Sequence, residues 1–160
     1  EMAVAGMFDE EWERLDRWAL FTEKIEMVVS QSHRFSRGDI ADVSLGDLSS
    51  EIVVHRVACE YAEELSRCLA SNGVAASTVH EVDTDHDMLA LLAASGGVGF
   101  VSTTAPQSAA TRRVPLRDLA LMRTVAAYGV TGRQRSPGAT TLLNMLRAAD
   151  WSPFGVSEAS

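Results

Sequence analysis

Met88-Leu-Ala-Leu-Leu-Ala-Ala-Ser-Gly-Gly-Val-Gly-Phe-Val101 decides the fold class of this chain. Met88, Leu89, Leu91 and Leu92 make the apolar face of a helix, and Gly96-Gly97 stops it. Val98-Gly-Phe-Val101 is a continuous apolar run, the pattern of a strand in a parallel sheet covered on both faces. Just upstream, Thr84 with Asp87 three residues on reads as an N-cap and an approximate capping box. Before it, Ser77-Thr-Val-His-Glu-Val82 reads as a strand. A helix is predicted over residues 57–72, with Val57, Tyr61, Leu65 and Leu69 recurring at i+4 and Gly73 ending it. Ile52-Val-Val54 supplies another short buried strand. Residues 52–101 thus read β-α-β-α-β, a doubly wound α/β unit with right-handed crossovers.

Outside this unit the signals are shorter. Met2-Ala-Val-Ala-Gly6 reads as a strand with no sequence partner near it, so partners upstream of residue 1 are expected. Residues 8–18 are acidic and irregular. Residues 19–30 are extended, with Ile25, Met27 and Val29 on one face. A loop over 32–38 and a short helical turn over 43–48 follow. Val114-Pro-Leu116 reads as an edge segment and residues 124–130 as a further strand. Ser136 caps a last helix with Pro137 in its first turn, and Leu142, Leu143 and Leu146 face inward.

At 160 residues, with 46% hydrophobic and 22% charged residues, the chain can bury a core and is not disordered as a whole. No apolar run approaches the roughly 20 residues that span a bilayer. The net charge of −8 argues against a broad phosphate-gripping face. The charge is uneven, because residues 112–160 hold seven arginines against three acids. A surface that offsets the acidic part explains this more simply than a nucleic-acid face. Cys59 and Cys68, placed nine residues apart on one helix, would point to opposite sides and could not bridge. Two free cysteines and no signal peptide point to the cytoplasm.

Ligands of open α/β sheets bind outside the carboxyl ends of the strands. Those ends are His55-Arg56, Asp83-Thr84 and Ser102-Thr103-Thr104. The first two are expected to lead directly into helix N-termini, where free N–H groups favour an anion. Arg56 adds a forked cationic donor, and the hydroxyls of Thr84, Ser102 and Thr103 suit a small polar or carboxylate ligand. The plainer reading is that Thr84 only caps its helix and Arg56 only pairs with a surface acid. His80-Glu-Val-Asp83-Thr-Asp85-His86-Asp87 is dense in metal-ligand types. Its acids crowd a helix start, where carboxylates are favoured anyway, and no second cluster completes a shell. No nucleophile elbow or P-loop occurs, and Cys59 is better read as a small buried apolar residue. No cofactor is expected and the chain is not read as an enzyme.

In order along the chain, several segments resemble the effector-binding domain of LysR-type transcriptional regulators. The decisive stretch 88–101 is similar to that family's "LVAAGLGVALLP" segment. Leu20-Phe-Thr-Glu-Lys-Ile-Glu-Met-Val-Val with His33-Arg-Phe is similar to its "L…E.L.LV….HPL" stretch, and Val43-Ser-Leu-Gly-Asp-Leu48 to its "V.L.DL". Residues 125–130 with Arg133 and Ser136-Pro137 resemble its last strand and C-terminal helix. Ser102 and Arg34 stand where the family often has Pro.

The resemblance implies a fold like that of type 2 periplasmic binding proteins, two α/β lobes joined by two crossing strands. Residues 25–127 would then be one complete effector-binding lobe, and 1–24 with 128–160 part of the other. The DNA-binding winged helix-turn-helix would lie outside this chain. The resemblance places Phe100 and Val101 beside the effector and Ser30 with Gln31 near the hinge. The full set of expected effector-binding residues is Ser30, His55, Arg56, Asp83, Thr84, Phe100, Val101, Ser102 and Thr103. The implied partner is a small organic effector, carboxylate or aromatic in kind, and the implied assembly is a homodimer or homotetramer without a membrane. Two other readings remain open here: an exported solute-binding lobe with no DNA role, and a metal-dependent enzyme using Asp83–Asp87.

Overall fold

The computed structural model describes residues 2–7, 13–37, 43–74 and 79–155. Among these residues seven strands and three α-helices follow one another: β1 (Met2–Gly6), β2 (Leu15–Ser30), β3 (Val53–Arg56), α1 (Ala62–Ser71), β4 (Val79–Val82), α2 (Asp85–Ser95), β5 (Val98–Ser102), β6 (Thr111–Val114), β7 (Met122–Val130) and α3 (Pro137–Ala148). The chain divides into two compact units, residues 24–121 and residues 1–23 with 122–160. Residues 122–127, expected with the central lobe, therefore fall with the termini.

In the central unit β3 lies between β4 and β5 and is parallel to both, with Val53 facing Val79 and Val98. The later part of β2 runs antiparallel to β5, from Ile25↔Ser102 to Val29↔Val98, and β6 is antiparallel to β2. Successive side chains of a strand point to opposite faces, and the core obeys this. Val53, Val98 and Phe100 pack on one face with Tyr61, Leu65 and Leu69 of the α1 segment. Val54 and Val101 pack on the other face with Met88, Leu89 and Leu92 of α2. Helices thus cover both faces, which is why β5 reads as an unbroken apolar run. The shared face near α1 also takes Phe35, Val43, Leu45 and Leu48, and Val43 bridges to Leu116.

Helix ends follow the local chemistry. Thr84 Oγ1 accepts from the Asp87 N–H at 3.1 Å and donates to Asp87 Oδ2 at 2.6 Å. Gly73, at φ 81°, follows α1, and the Gly96 N–H closes α2 on Leu92 O at 3.1 Å. Ser136 Oγ takes the Ala139 N–H at 3.2 Å with Pro137 at the start of α3.

Several local expectations are corrected. The helix predicted over 57–72 begins only at Ala62. Val57 is 40% exposed outside it, and Cys59 precedes it, so the two cysteines do not share a helix. The Cys59 Sγ instead donates to Arg56 O at 3.2 Å, forming a turn that delays the helix. Strand β2 starts at Leu15, inside the segment read as irregular. Ile52, Leu91 and Leu142 are exposed although read as buried. The loop over 32–38 contains a 3-10 turn, Arg34–Ser36, whose Arg34 bonds Glu51. Residues 77 and 78 of the predicted strand lie outside the described residues.

The second unit pairs β1 antiparallel with β7, from Met2↔Gly129 to Gly6↔Val125, and β7 lies beside the first part of β2. Phe21 stacks on Trp151 at 5.4 Å between ring centroids, with Phe154 beside both. Asp16 takes Arg135 at 2.8 Å and Thr131 at 2.9 Å. The arginines of the basic segment are largely occupied in structure. Arg112 holds Ser36 O, Arg113 holds Glu26, Ser102 O and Ala105 O, Arg123 holds Glu23, and Arg135 holds Asp16.

Candidate functional site

The register of the central sheet brings three strand ends together. Arg56 faces Val82 across β3 and β4, and Val54 faces Gly99 across β3 and β5. The carboxyl ends of β3, β4 and β5 therefore form one rim, carrying His55-Arg56, Asp83-Thr84 and Ser102-Thr103. Lys24, where the chain enters this unit, is at the same end, since Lys24 O accepts the Thr103 N–H at 3.1 Å. Ser30 is not brought to this group. It sits at the other end of β2, opposite Thr111, buried and bonded to Ser32 at 3.1 Å.

Within the rim, Arg56 does not present an open charge. Its Nη1 meets Asp85 Oδ2 at 3.1 Å, and its guanidinium stands 5.9 Å from the centre of the Tyr61 ring. Both ionic side chains are largely buried, 16% and 20% exposed. Burial works against the Arg56 charge, but Tyr61 and Asp85 outweigh it and raise its pKa. Arg56 Nε and Asp85 Oδ1 are sealed from solvent without a hydrogen-bond partner. Because α1 starts six residues after Arg56, His55 and Arg56 do not lead into a helix N-terminus; only Asp83-Thr84 does. This corrects the expectation of two anion-favouring helix starts.

His55 points to the α1 face. It is 6% exposed, its Nε2 lies 3.5 Å from Ser66 Oγ, and its Nδ1 is buried with no partner. Burial lowers its pKa from the ordinary 6.5, and the charge of Glu81 pulls the other way. Thr84 and Asp83 are exposed, and the Thr84 hydroxyl makes its two capping bonds to Asp87. Phe100 and Val101 are each 1% exposed and belong to the two core faces. The Phe100 carbonyl accepts from Tyr61 OH at 3.4 Å. Ser102, also buried, offers its carbonyl to Arg113 at 2.9 Å.

Two participants were not singled out from the sequence. In the sequence Asp85 reads as one acid of a metal-ligand-like run crowding a helix start, and Arg113 as part of a basic segment. The signal for Asp85 lay in the winding: placing β3 between β4 and β5 sets the first turn of α2 beside the end of β3. Among the described residues no three His, Cys, Asp or Glu side chains are grouped to hold a metal. The central unit also has a cleft of about 270 Å³ between α2 and β6, lined by Val28, Leu89, Val101, Pro106 and Arg113. Of the nine expected residues only Val101 borders it. Among the described residues no helix is long and apolar enough to cross a membrane.

A family model described as the LysR substrate binding domain matches residues 2–151. No curated protein matches the sequence closely enough to count as a relative. Among solved structures, the chain resembles the regulatory domain of CcmR from Synechocystis PCC6803, solved in complex with 2-PG. The TM-score is 0.70 at 12% identity, covering 91% of this chain and 72% of that one. It resembles the effector-binding domain of BenM with its effector benzoate, with a TM-score of 0.71 at 18% identity, covering 98% and 72%. It also resembles HinK, a LysR family transcriptional regulator from Pseudomonas aeruginosa, with a TM-score of 0.74 at 16% identity, covering 95% and 52%. The chain thus spans about half the length of HinK, and 54% of full-length BenM.

Proposed function

This chain belongs to the LysR substrate-binding domain family, and from that premise we propose that it is the effector-sensing module of a DNA-binding transcriptional regulator, with the rim at the carboxyl ends of β3, β4 and β5 as its part of the effector site. The observation that carries this reading is the convergence of Arg56, Thr84 and Thr103 at one end of a parallel sheet, where open α/β folds bind ligands. The effector is a small organic metabolite. BenM's benzoate and the 2-PG of CcmR set the size to search first. The chain binds rather than catalyses. The regulator acts in the cytoplasm as a dimer or tetramer, and its DNA-binding helix-turn-helix belongs to a segment outside these residues. Effector binding changes DNA binding through its different affinity for two arrangements of the lobes.

A thermal-shift screen of carboxylates, aromatic acids and their neutral analogues on the full chain tests this. A saturable rise in Tm for one metabolite is expected, with the rise lost in Arg56→Ala and reduced in Thr84→Ala. Thr84→Ala also loses the cap of α2, about 1 kcal/mol of stability, so the effector-induced shift and not the absolute Tm is the readout. Thr84→Ser keeps the cap and serves as control. An unchanged effector-induced shift in both Ala variants refutes the rim as the site.

A further inference from the structure

Resting on that reading of the rim, we propose that Asp85 is a specificity-determining residue: its carboxylate already occupies Arg56, so the rim disfavours simple anions and favours an uncharged polar ligand. Arg56 alone would be a cationic fork aimed at a ligand carboxylate. In the folded chain its charge is matched by Asp85 at 3.1 Å, and both side chains are at least four-fifths buried. An incoming anion therefore meets an attraction and a repulsion of similar size, whereas a neutral donor or acceptor meets no such opposition.

Asp85 is held there for reasons independent of Arg56. It is the first residue of α2, directly after the N-cap Thr84, where the helix dipole favours a negative charge. The pair is nevertheless a single contact. Arg56 Nε and Asp85 Oδ1 have no hydrogen-bond partner, so the pair is not bidentate. A two-point arginine–carboxylate pair would be harder to open. The geometry is that of an internal carboxylate standing where a ligand's would otherwise go. An anionic ligand binds only by displacing it.

The test uses the full chain with sodium benzoate and benzamide as probes of equal shape and different charge, titrated by calorimetry at one ionic strength. Asp85→Asn is expected to bind benzoate about tenfold more tightly than the unsubstituted chain, with benzamide unchanged. Adding Arg56→Ala is expected to remove that gain. The Thr84–Asp87 bonds still start α2 in Asp85→Asn, and Asp85→Ser supplies a second variant if the first fails to fold. No gain for benzoate, or an equal gain for both probes, overturns the proposal. Failure of the rim as the site reads out separately, as an effector from the screen whose stabilisation survives Arg56→Ala.

Discussion

Arg123 Nε donates to Glu23 Oε1 at 2.7 Å, and Glu23 is completely buried. The two residues stand on neighbouring strands, β2 and β7, within the unit formed by the chain's two ends. Among the described residues few apolar side chains are buried there, Val125, Ala126, Ala127 and Leu143, so this charge pair weighs heavily. Removing one member of a buried pair costs about 3–5 kcal/mol, more than replacing both by apolar groups. Arg123→Ala is therefore expected to lower stability by about 3 kcal/mol in urea unfolding, and the double variant Glu23→Leu with Arg123→Met by clearly less. A loss under 1 kcal/mol for Arg123→Ala would show the pair to be peripheral.

Two glycines at the start of β5, Gly97 just before it and Gly99 within it, are required for different reasons. A Cβ on Gly99 would lie 2.6 Å from Met88 Sδ and 2.9 Å from Leu92 Cδ1, because α2 packs directly on the strand. A Cβ on Gly97 would lie 2.7 Å from the Ile52 carbonyl oxygen, and φ there is +95°. Gly99→Ala is expected to cost about 1–3 kcal/mol by overpacking, with the penalty reduced in a Met88→Ala background. The Gly97→Ala penalty is expected to persist there, since backbone cannot yield. Equal penalties for Gly99→Ala in both backgrounds would contradict the packing account.

His55 predicts an acid-sensitive central unit. Its folded pKa lies below 6.5 because burial disfavours the charged ring. The unfolded chain then binds more protons as pH falls past 6.5, so stability drops from there down to the folded pKa and is level above. The slope from this one group is at most about 1.4 kcal/mol per pH unit. Denaturation midpoints measured from pH 7.5 to 5 are expected to fall in the natural chain and to flatten in His55→Gln. The same slope in His55→Gln would assign the acid sensitivity to other groups.

Much of the central unit was legible in the sequence because its signals are local. Thr84 with Asp87, Gly96-Gly97 and the apolar run 98–101 specify a capped helix, a stop and a covered strand through contacts a few residues apart. The helix expected from Val57 failed for the same reason in reverse. Periodicity at i+4 could not register the Cys59 thiol bonding Arg56 O, a turn that postpones the helix to Ala62.

By itself, the sequence determined the class of the fold, the order of its central strands and helices, and the strand ends that form the rim. Those follow from apolar spacing and turn chemistry, which need no knowledge of distant parts of the chain. Only the tertiary structure decided the electrostatics of that rim. Arg56 and Asp85 are separated by a whole crossover, and their pairing exists because β3 lies between β4 and β5. The same holds for Glu23 with Arg123 and for Glu26 with Arg113. Charge partners so far apart in the chain are chosen by strand order and register, and one residue of slip would turn each to the opposite face.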